Sequence, residues 1–446
     1  MSAHTISYAR RFSRIIRSAA LPLCLLLGNI PSARAEIHIT LDRANFQPLP
    51  IAITLFEGDS LPDQGIGGVI GNDLRLSGYF MTVSAPVDTL SFDQTPAFEN
   101  WKALNVQALV TGQVATDGTG RVTVSFRLWD VLAGTQLAGE RYTTSQTNWR
   151  RMGHMISDVI FQKLTGLGGF FNSRVVFVDE TESRTHRRKR LAIMDIDGAH
   201  MRYLTKGEKL VVTPRFAPNS PDEVAYVAQQ LGSPASIYQL NVDTHHATAL
   251  PIPPGMTFSP RFSPDGRALV FSLQKGGNAE LYRLDLGSRA LTQMTSSSAI
   301  NTSASFSPDG RMMAFESDRG GSQQIYVMPT DGSSTAQRIS FGGGSYSQPV
   351  WSPRGDYIAF TRRQGGQFAI GIMKPDGSAT RILTEGFHNE SPTWAPNGQY
   401  IMFFRDSGGD GGSQLRMVDV TGRVDVPIPT PNSASDPTWS GLRSGS

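Results

Sequence analysis

A short phrase that recurs at a nearly constant interval constrains the fold of this chain more than any other feature of its sequence. Phe306-Ser307-Pro308-Asp309-Gly310-Arg311 has the same pattern as Phe262-Ser263-Pro264-Asp265-Gly266-Arg267, and looser copies occur before and after them. Successive copies lie 46, 44, 45, 43 and 45 residues apart, counted between their leading aromatic residues, which are Phe216, Phe262, Phe306, Trp351, Trp394 and Trp439. A period of about 40–50 residues is typical of a β-propeller or a similar repeat array.

Each repeat contains the signals for four short antiparallel strands. The leading aromatic lies on strand one, and Pro-Asp-Gly then forms a turn because proline fixes φ and glycine adopts positive φ readily. An apolar strand two, a glycine-rich loop, strand three, an Asp-Gly turn and strand four follow, as at residues 268–271, 276–277, 281–284, 331–332 and 381–384. Four such strands in about 44 residues form one propeller blade.

The two ends of the repeat region indicate how the ring closes. Residues 175–179, 191–195 and 202–205 supply strands two, three and four of a first blade, while Asp436-Pro437-Thr438-Trp439-Ser440 supplies a strand one with nothing after it. Closing the ring with this C-terminal strand leaves only short, protected edges. We therefore predict an α+β chain, with a small N-terminal mixed α/β domain at residues 36–168 followed by a six-bladed β-propeller at residues 169–446.

Antiparallel strands place alternate loops of the propeller on opposite faces. The Pro-Asp-Gly and Asp-Gly turns share one face, here named the turn face. The glycine-rich loops and the segments before each leading aromatic share the other, here named the variable face. These segments differ most between repeats, at residues 256–260, 300–303, 346–349, 387–392 and 432–437. Variation in one set of loops on a uniform scaffold is typical of a binding surface.

The first thirty-five residues have the pattern of a signal peptide rather than of a folded segment. A basic stretch, a short apolar stretch and a cleavage motif follow one another, namely Arg10, Arg11, Arg14 and Arg17, then residues 19–27, then Ala33-Arg34-Ala35. We predict cleavage between Ala35 and Glu36. Arg10-Arg11 leaves twin-arginine export open, although the residues that follow fit that motif poorly. Leu23 is too bulky for Cys24 to be a lipoprotein cysteine.

Loss of this segment changes the cysteine count and the net charge. Cys24 is the one cysteine of the sequence, so the mature chain has no thiol for a disulfide, a nucleophile or a metal site. Five of the 41 basic residues and none of the 38 acidic residues precede Glu36, so the net charge falls from +3 to about −2. This charge removes the main electrostatic support for nucleic-acid binding, and we predict no nucleic-acid partner.

Residues 36–168 contain the signals of a small domain with a mixed sheet. Alternating and apolar segments predict strands at residues 37–41, 51–56, 81–83, 106–114, 122–129 and 136–143. Asp117-Gly118-Thr119-Gly120 predicts a hairpin between the fourth and fifth strands. Helical spacing of apolar residues predicts helices at residues 65–80, 98–104 and 149–164, and Gly166 is placed to end the last one.

A Gly-Asp-Ser-Leu motif at residues 58–61 raises the alternative of an esterase with Ser60 as its nucleophile. Such enzymes also need an Asn oxyanion donor and an Asp-x-x-His pair. Asn72 lacks the expected context, and Asp243-Thr244-His245-His246 belongs to a turn of the repeat region. Because a nucleophile and its base must meet, we interpret the motif as a strand-to-helix loop and predict no catalytic residue.

Three further features that could carry a function are better interpreted as structural. The basic run at residues 186–190 lacks interleaved aromatic residues, which favours a solvated loop over a nucleic-acid patch. Asp195-Ile196-Asp197-Gly198 lacks the third ligand and the distal Glu of a calcium loop, and it matches the Asp-Gly turns of the other repeats. His154 on the long helix is interpreted as a packing or surface residue. We predict no metal ligand and no cofactor.

Together with the repeats, several stretches of the N-terminal region resemble the TolB family of the periplasmic Tol–Pal system. They are Glu36-Ile37-His38-Ile39, Ile66-Gly67-Gly68-Val69-Ile70, Asp73-Leu74-Arg75, Val110-Thr111-Gly112-Gln113-Val114 and Phe161-Gln162-Lys163-Leu164-Thr165-Gly166. The resemblance covers nearly all of the predicted mature chain. Prolyl-oligopeptidase-type enzymes have similar repeats, but they need a hydrolase domain with Gly-x-Ser-x-Gly, for which about 130 residues are too few.

The resemblance implies a non-enzymatic, monomeric periplasmic adaptor that is peripheral to the membranes and supports outer-membrane integrity and invagination during cell division. It implies that residues 36–47 bind a TolA-like inner-membrane protein, and we assign Glu36, Ile37, His38, Ile39, Thr40, Leu41 and Asp42 to that contact. It also implies that the variable face binds a Pal-like outer-membrane lipoprotein, and we assign Ser259, Asn301, Thr302, Gln348, Asn389, Glu390, Ser391 and Asp436. The remaining alternative is a periplasmic propeller that binds a carbohydrate or another small ligand.

Overall fold

The computed structural model describes residues 47–62, 65–84, 90–181 and 188–443, which belong to one compact unit. The predicted cleavage site at Ala35 and Glu36, the predicted strand at residues 37–41 and the TolA-type segment through Asp42 lie outside the described residues and stay predictions. Among the helices within the described ranges, none has the length and apolar character needed to cross a membrane.

In the part of the N-terminal domain that the structure describes, there are three helices and a five-stranded mixed sheet. In chain order its elements are β1 (Leu49–Ile53), α1 (Gly65–Leu76), β2 (Phe80–Val83), α2 (Phe98–Ala103), β3 (Ala108–Thr116), β4 (Arg121–Asp130), β5 (Thr135–Ser145), a 3-10 turn (Gln146–Asn148) and α3 (Trp149–Thr165). The strand order is β2-β1-β3-β4-β5, in which β1 is parallel to both neighbours and β3, β4 and β5 are antiparallel. The predicted mixed sheet is confirmed.

Helix α1 begins and ends through side-chain hydrogen bonds that the apolar spacing does not reveal. The Asp59 carboxylate accepts the Ile66 N–H at 2.9 Å and so caps the first turn. At the other end, the hydroxyl of Ser77 donates to the Leu74 carbonyl at 2.6 Å, and Gly78 adopts a φ of 74°. The helix therefore ends at Leu76, four residues before the predicted end, and the chain turns directly into β2.

Helix α3 ends where the sequence predicts. Gly166 adopts a left-handed φ of 71°, and its N–H donates to the Gln162 carbonyl. The buried residues of α3 lie on one side of the helix and pack with α1 and the sheet: Trp149, Met152, Ile156, Ile160 and Leu164. Burial of each large apolar side chain stabilises the domain by roughly 1.5–3 kcal/mol.

The propeller has six four-stranded blades. Blade 1 contains β6 (Arg174–Thr181), β7 (Arg188–Asp195) and β8 (Arg202–Tyr203), and blade 2 contains β9 (Leu210–Ala217), β10 (Ser220–Gln229), β11 (Ser236–Asn241) and β12 (Ala247–Ala249). Blade 3 contains β13 (Met256–Phe262), β14 (Ala268–Lys275), β15 (Asn278–Asp285) and β16 (Leu291–Gln293), and blade 4 contains β17 (Asn301–Phe306), β18 (Met312–Ser317), β19 (Gln324–Pro329) and β20 (Gln337–Arg338). Blade 5 contains β21 (Ser345–Trp351), β22 (Ile358–Gln364), β23 (Gln367–Met373) and β24 (Arg381–Gly386), and blade 6 contains β25 (His388–Trp394), β26 (Tyr400–Asp406), β27 (Ser413–Asp419) and β28 (Asp425–Ile428).

The last strand, β29 (Ser433–Trp439), completes blade 1, as predicted. It pairs antiparallel with β6, with Trp439 opposite Val175 and Ala434 opposite Asp179. The Trp439 indole N–H donates to the Ser173 hydroxyl at 2.8 Å. Residues from the two ends of the propeller therefore share one sheet, in the order β29-β6-β7-β8.

The Pro-Asp-Gly motif forms a hydrogen-bonded turn in the structure. In blade 4, the Ser307 hydroxyl donates to the Asp309 carboxylate at 2.5 Å, and that carboxylate accepts the Arg311 N–H at 3.1 Å. The Gly310 N–H donates to the Ser307 carbonyl, with a φ of 71° at Gly310. Since the polar atoms of the phrase are used within the turn itself, the repeat specifies strand pairing rather than recognition.

The N-terminal domain packs against the turn face of the propeller. The Tyr400 hydroxyl in blade 6 donates to the Ser77 carbonyl at 2.9 Å, and the Asn397 amide donates to the Gly168 carbonyl at 2.8 Å. Tyr79 meets Tyr400 edge-to-face with ring centres 6.3 Å apart. One apolar core runs from the N-terminal sheet through the Phe170 and Phe171 side chains into blades 1 and 6.

A buried ionic cluster lies beside this apolar core. On α3, His154 Nδ1 is 2.8 Å from the Asp73 carboxylate of α1 and His154 Nε2 is 3.7 Å from the Asp195 carboxylate of blade 1. One turn earlier, Arg150 pairs with Asp197 in the same blade-1 turn. Residues 195–198 form the predicted Asp-Gly turn, but His154 is neither a surface residue nor an apolar packing residue. It is a buried ionic link between the two domains.

Candidate partner-binding face

One residue near the middle of strand one adopts a left-handed backbone conformation in every blade. These residues, here named the channel ring, are Thr213, Ser259, Ser303, Gln348, Ser391 and Asp436, with φ between 49° and 57°. Each lies three residues before a leading aromatic, and proline follows all of them except Ser303. Five of the six line one narrow cavity of about 30 Å³ within the propeller, which has room for one or two water molecules.

The left-handed residue belongs to a β-bulge that recurs in all six blades. In blade 3, Phe258 pairs with Ser272 and Arg261 with Val270, so the two residues Ser259 and Pro260 lie opposite Phe271 alone. The same register shift places one buried aromatic opposite each of the other bulges: Phe177, Tyr226, Phe315, Phe360 and Phe403. A bulge bends the strand and redirects its side chains, and proline is tolerated there because no ladder bond is lost.

Hydrogen bonds join the channel ring from blade to blade. The Ser391 N–H and the Thr361 hydroxyl both donate to the Gln348 side-chain carbonyl, at 2.8 and 3.0 Å. The Ser391 hydroxyl donates to one oxygen of Asp436 at 2.8 Å. The other Asp436 oxygen lies 3.4 Å from the Thr213 N–H. The side chains of Gln348, Ser391 and Asp436 therefore form a fixed polar belt across blades 5, 6, 1 and 2.

Four of the eight residues predicted for Pal-type contact belong to the channel ring: Ser259, Gln348, Ser391 and Asp436. Thr302 and Glu390 each precede a ring residue on strand one of their blade. The structure thus brings six of the predicted residues together around the channel. Their role in partner contact stays a prediction.

Asn301 and Asn389 are also near the variable face, but both are fully buried. The Asn301 amide donates to Glu280 at 2.8 Å and to Ser297 at 2.9 Å, and its carbonyl accepts a hydrogen bond from Arg319 at 2.9 Å. The Asn389 carbonyl accepts a hydrogen bond from Arg405 at 2.9 Å. These side chains hold the loops that precede strand one, so an effect on binding through them would be indirect.

Burial raises the pKa of two carboxylates near the ring above their ordinary values. Burial raises the pKa of Glu316 to about 7, and the nearby Glu390 carboxylate adds to the rise. Glu316 accepts the Gln348 N–H at 3.3 Å. Burial also raises the pKa of Glu390, which lies 3.3 Å from His388. The electrostatic character of this side of the channel therefore changes with pH.

Comparison with known families identifies the chain. The model described as the TolB beta propeller domain matches residues 161–443, more than half of the sequence, and the model described as the TolB amino-terminal domain matches residues 37–137. The chain belongs to the TolB family. The resemblance predicted from the sequence is thereby confirmed.

One solved structure agrees with this membership over nearly the whole chain. TolB from Acinetobacter baumannii is 28% identical in sequence, with a TM-score of 0.79 over 91% of this chain and 99% of that chain. A putative TolB from Agrobacterium tumefaciens is 19% identical, with a TM-score of 0.48 over 59% of this chain and 91% of that chain. The first comparison extends the TolB likeness over both the N-terminal domain and the propeller.

This TolB-family propeller exposes large apolar side chains around its variable face. We name five of them the apolar crown: Leu210, Met256, Ile300, Phe341 and Phe387, which are 48, 62, 43, 62 and 62% exposed. Each lies at or just before the start of strand one in blades 2 to 6. Sequence reasoning missed the crown, although Leu210, Met256 and Ile300 each lie six residues before a leading aromatic. Grouped apolar exposure of this kind marks interaction surfaces.

The residues of the esterase alternative have other partners. The Asp59 carboxylate accepts the N–H groups of Leu61 and Ile66, and Asp243 forms ion pairs with Arg174 and Arg202 at 2.9 and 3.0 Å. His245 contacts Arg202, and His246 contacts Thr248. Within the described ranges, no hydrogen bond joins Ser60 to either histidine. The geometry therefore gives the motif the predicted role of a strand-to-helix loop.

Proposed function

We propose that this chain is a non-enzymatic periplasmic adaptor of the Tol–Pal system, which links a TolA-like inner-membrane protein to a Pal-like outer-membrane lipoprotein. In this role it supports outer-membrane integrity and invagination during cell division. Membership of the TolB family supports the proposal. The observation that carries it is the apolar crown, which surrounds the channel mouth on the face opposite to the N-terminal domain.

The Pal-like partner docks on the variable face. Phe341 and Phe387 are aromatic anchors of the kind that dominate binding energy in interfaces, and Met256 adapts its shape to an irregular surface. Inside the crown, Asp436 presents a carboxylate that is already oriented by a hydrogen bond from the buried Ser391 hydroxyl. A pre-ordered polar centre reduces the entropy lost on association.

The segment of residues 36–47, exposed by cleavage after Ala35, binds the TolA-like partner. Its alternation of apolar and polar residues at Ile37-His38-Ile39-Thr40-Leu41 suits the addition of a strand to a partner sheet. This assignment rests on the family resemblance. It assigns the two partners to different parts of the chain, so that one molecule binds both.

Substitution in the crown tests the Pal-type interface. Phe341→Ser and Phe387→Ser together should weaken binding to purified Pal-like lipoprotein about 30-fold or more, since an aromatic anchor contributes about 2 kcal/mol or more. Leu132→Ser, at a similarly exposed apolar residue (58%) in the N-terminal domain, serves as the matched control. Calorimetry measures the affinities. Equal binding by the double variant and the control would contradict this interface.

Deletion of residues 36–47 tests the second interface separately. The shortened mature chain should lose binding to the TolA-like protein and keep its affinity for the Pal-like lipoprotein. Retained TolA binding by a folded, shortened chain would overturn the assignment. Crosslinking in native envelopes then separates the adaptor from a small-ligand binder, since the adaptor should capture an outer-membrane lipoprotein and the alternative should not.

A further inference from the structure

Two arginine side chains face the propeller channel without a carboxylate partner. Arg215 and Arg261 line the narrow cavity of the channel ring together. Arg215 is 8% exposed, and its guanidinium donates to the Pro214 carbonyl at 2.7 Å. Among the described residues, neither guanidinium forms an ion pair. Burial lowers the pKa of Arg215, and burial together with the charge of Arg215 lowers the pKa of Arg261 well below its usual range.

A buried charge is costly unless an opposite charge or several hydrogen bonds accompany it. Asp436 is the carboxylate that favours the charge of Arg215, but it accepts hydrogen bonds from Ser391 and Thr213. Asp436 is the one carboxylate among the described residues whose charge acts on Arg215 and none of them acts on Arg261, so positive charge remains beside these two side chains. An anion would neutralise it.

A larger chamber adjoins these arginines on the side of the turn face. It has a volume of about 410 Å³ and includes Arg261 in its lining, so this residue contacts both the chamber and the narrow cavity. Sites for small ligands have volumes of about 300–1,000 Å³, whereas the cavity of the ring holds one or two waters. The chamber is therefore the part of the channel that can admit a small molecule.

Three hydroxyl groups in the chamber have hydrogens to donate. Ser305, Thr393 and Thr438 each accept a hydrogen bond from the backbone N–H of the leading aromatic in the next blade, at 2.9, 3.3 and 3.1 Å. Each hydroxyl can also donate once, and among the described residues none of the three donates a hydrogen bond. Arg215 and Arg261 occupy the same position, one residue before the leading aromatic, in blades 2 and 3.

Three tryptophan rings supply apolar surface in the lining of the chamber. Trp351, Trp394 and Trp439 line it, and their indole N–H groups are already bonded to Gly355, Val350 and Ser173. They therefore present apolar ring surface to a ligand. The chamber combines positive charge, hydroxyl donors and an apolar wall within one cavity.

We propose that this chamber binds a small oxyanion, a carboxylate or a phosphate, between Arg261 and the hydroxyl groups of Ser305, Thr393 and Thr438, with Arg215 adding positive charge. The site is separate from the variable face, because the narrow ring cavity lies between the two. Anion binding in the chamber and partner binding on the variable face can therefore be tested independently, and loss of one does not imply loss of the other.

Thermal unfolding of the full mature chain at constant ionic strength tests the proposal. Sodium phosphate and sodium succinate, each titrated against sodium chloride, are the two probes. We expect a saturable rise in Tm of about 3 °C or more with at least one of them, and the responding probe identifies the oxyanion class. Arg261→Gln should abolish the rise, while Arg267→Gln, at an exposed arginine five residues after the end of β13, should retain it.

The absence of a rise with both probes would overturn the proposal, as would an equal rise in Arg261→Gln. If Arg261→Gln fails to fold, crystals of the unsubstituted chain soaked in selenate provide the second measurement. An anomalous selenium peak within 4 Å of the Arg261 guanidinium, which is the usual limit for an ion pair, supports the site. Selenium peaks elsewhere, or none, count against it.

Discussion

Non-glycine residues with positive φ are the feature of this propeller that is least expected from residue preferences. A left-handed conformation costs an L-residue about 1–2 kcal/mol, yet it occurs once in strand one of every blade. The bulge geometry imposes it, because two residues must lie opposite one buried aromatic side chain. The cost is offset by six well-packed aromatic residues and by the polar belt of the channel.

Ser259 provides a test of this backbone strain. Ser259→Gly should change the free energy of unfolding by less than about 1 kcal/mol, since relief of strain and the greater chain entropy of glycine oppose each other. Ser259→Val should destabilise by about 1–3 kcal/mol, because a β-branched residue is poorly accommodated at positive φ. Urea unfolding measures both. Equal effects of the two substitutions would mean that the bulge does not impose its conformation.

The buried Glu316 carboxyl should make the free energy of unfolding fall as pH rises. Because burial raises its folded pKa from 4.5 to about 7, its contribution is fully present below pH 4.5 and is lost as pH rises through 7. Glu316→Gln should remove this decline, which amounts to about 3 kcal/mol by linkage. Urea unfolding between pH 4.5 and 8 measures it. If the variant and the parent chain lose stability in parallel over that interval, Glu316 is not the source of the pH dependence.

At the scale of single elements, α3 joins the two domains. Arg150 and His154 are one helical turn apart, so both side chains reach the Asp195–Asp197 turn of blade 1 from the same side of the helix. Burial alone would lower the pKa of His154, but the carboxylates of Asp73 and Asp195 raise it well above its usual value. These acidic groups therefore favour the protonated form of the histidine.

Removal of the His154 side chain should loosen this junction. His154→Ala leaves Asp73 buried without its cation and should destabilise the chain by about 3–5 kcal/mol at pH 6. Because the folded pKa is raised, the stabilisation is present below the ordinary pKa of 6.5 and is lost as pH rises through the folded value. The difference between variant and parent should therefore shrink at high pH. Denaturant titrations from pH 6 to 10 measure it, and a constant difference would refute this account.

Local sequence signals predicted the elements well and the junction poorly. The spacing of Ile66, Val69, Ile70 and Leu74 predicts α1, and Gly166 predicts the end of α3, since both depend on neighbouring residues. The pairing of His154 with Asp73 and Asp195 joins residues 81 and 41 positions apart, and no local pattern encodes it. The family resemblance assigns Asn301 and Asn389 to the binding face, but their burial depends on the tertiary packing of Arg319 and Arg405 around them.

At the scale of the whole molecule, the repeat period predicts six blades and the closing strand. It does not predict which face the N-terminal domain covers, because that depends on contacts such as Tyr400 with Ser77. Nor does it reveal the apolar crown, whose members are scattered along 178 positions of sequence between Leu210 and Phe387. The curvature of the ring brings them together on one face.

Closure of the ring can be tested by truncation. A chain that ends at Pro431 lacks β29 and leaves β6 with an unpaired edge, which favours aggregation. Loss of the buried Trp439 side chain alone costs about 3–5 kcal/mol, so this chain should have a much lower Tm and should form oligomers in light scattering. A chain that ends at Arg443 is the control. A monomeric Pro431 chain with the Tm of the control would refute the closing role of β29.

The pairing of β29 with β6 also determines the order in which the blades are completed during synthesis. Trp439 is the partner of Val175, so the first blade to leave the ribosome or a translocation channel is the last to be completed. About 260 residues separate the two strands, and contacts at such separations form slowly because of the entropy of loop closure. Until the C-terminus arrives, blade 1 exposes an open edge. The nascent chain thus passes through a stage in which a chaperone that shields strand edges would raise the yield of closed rings.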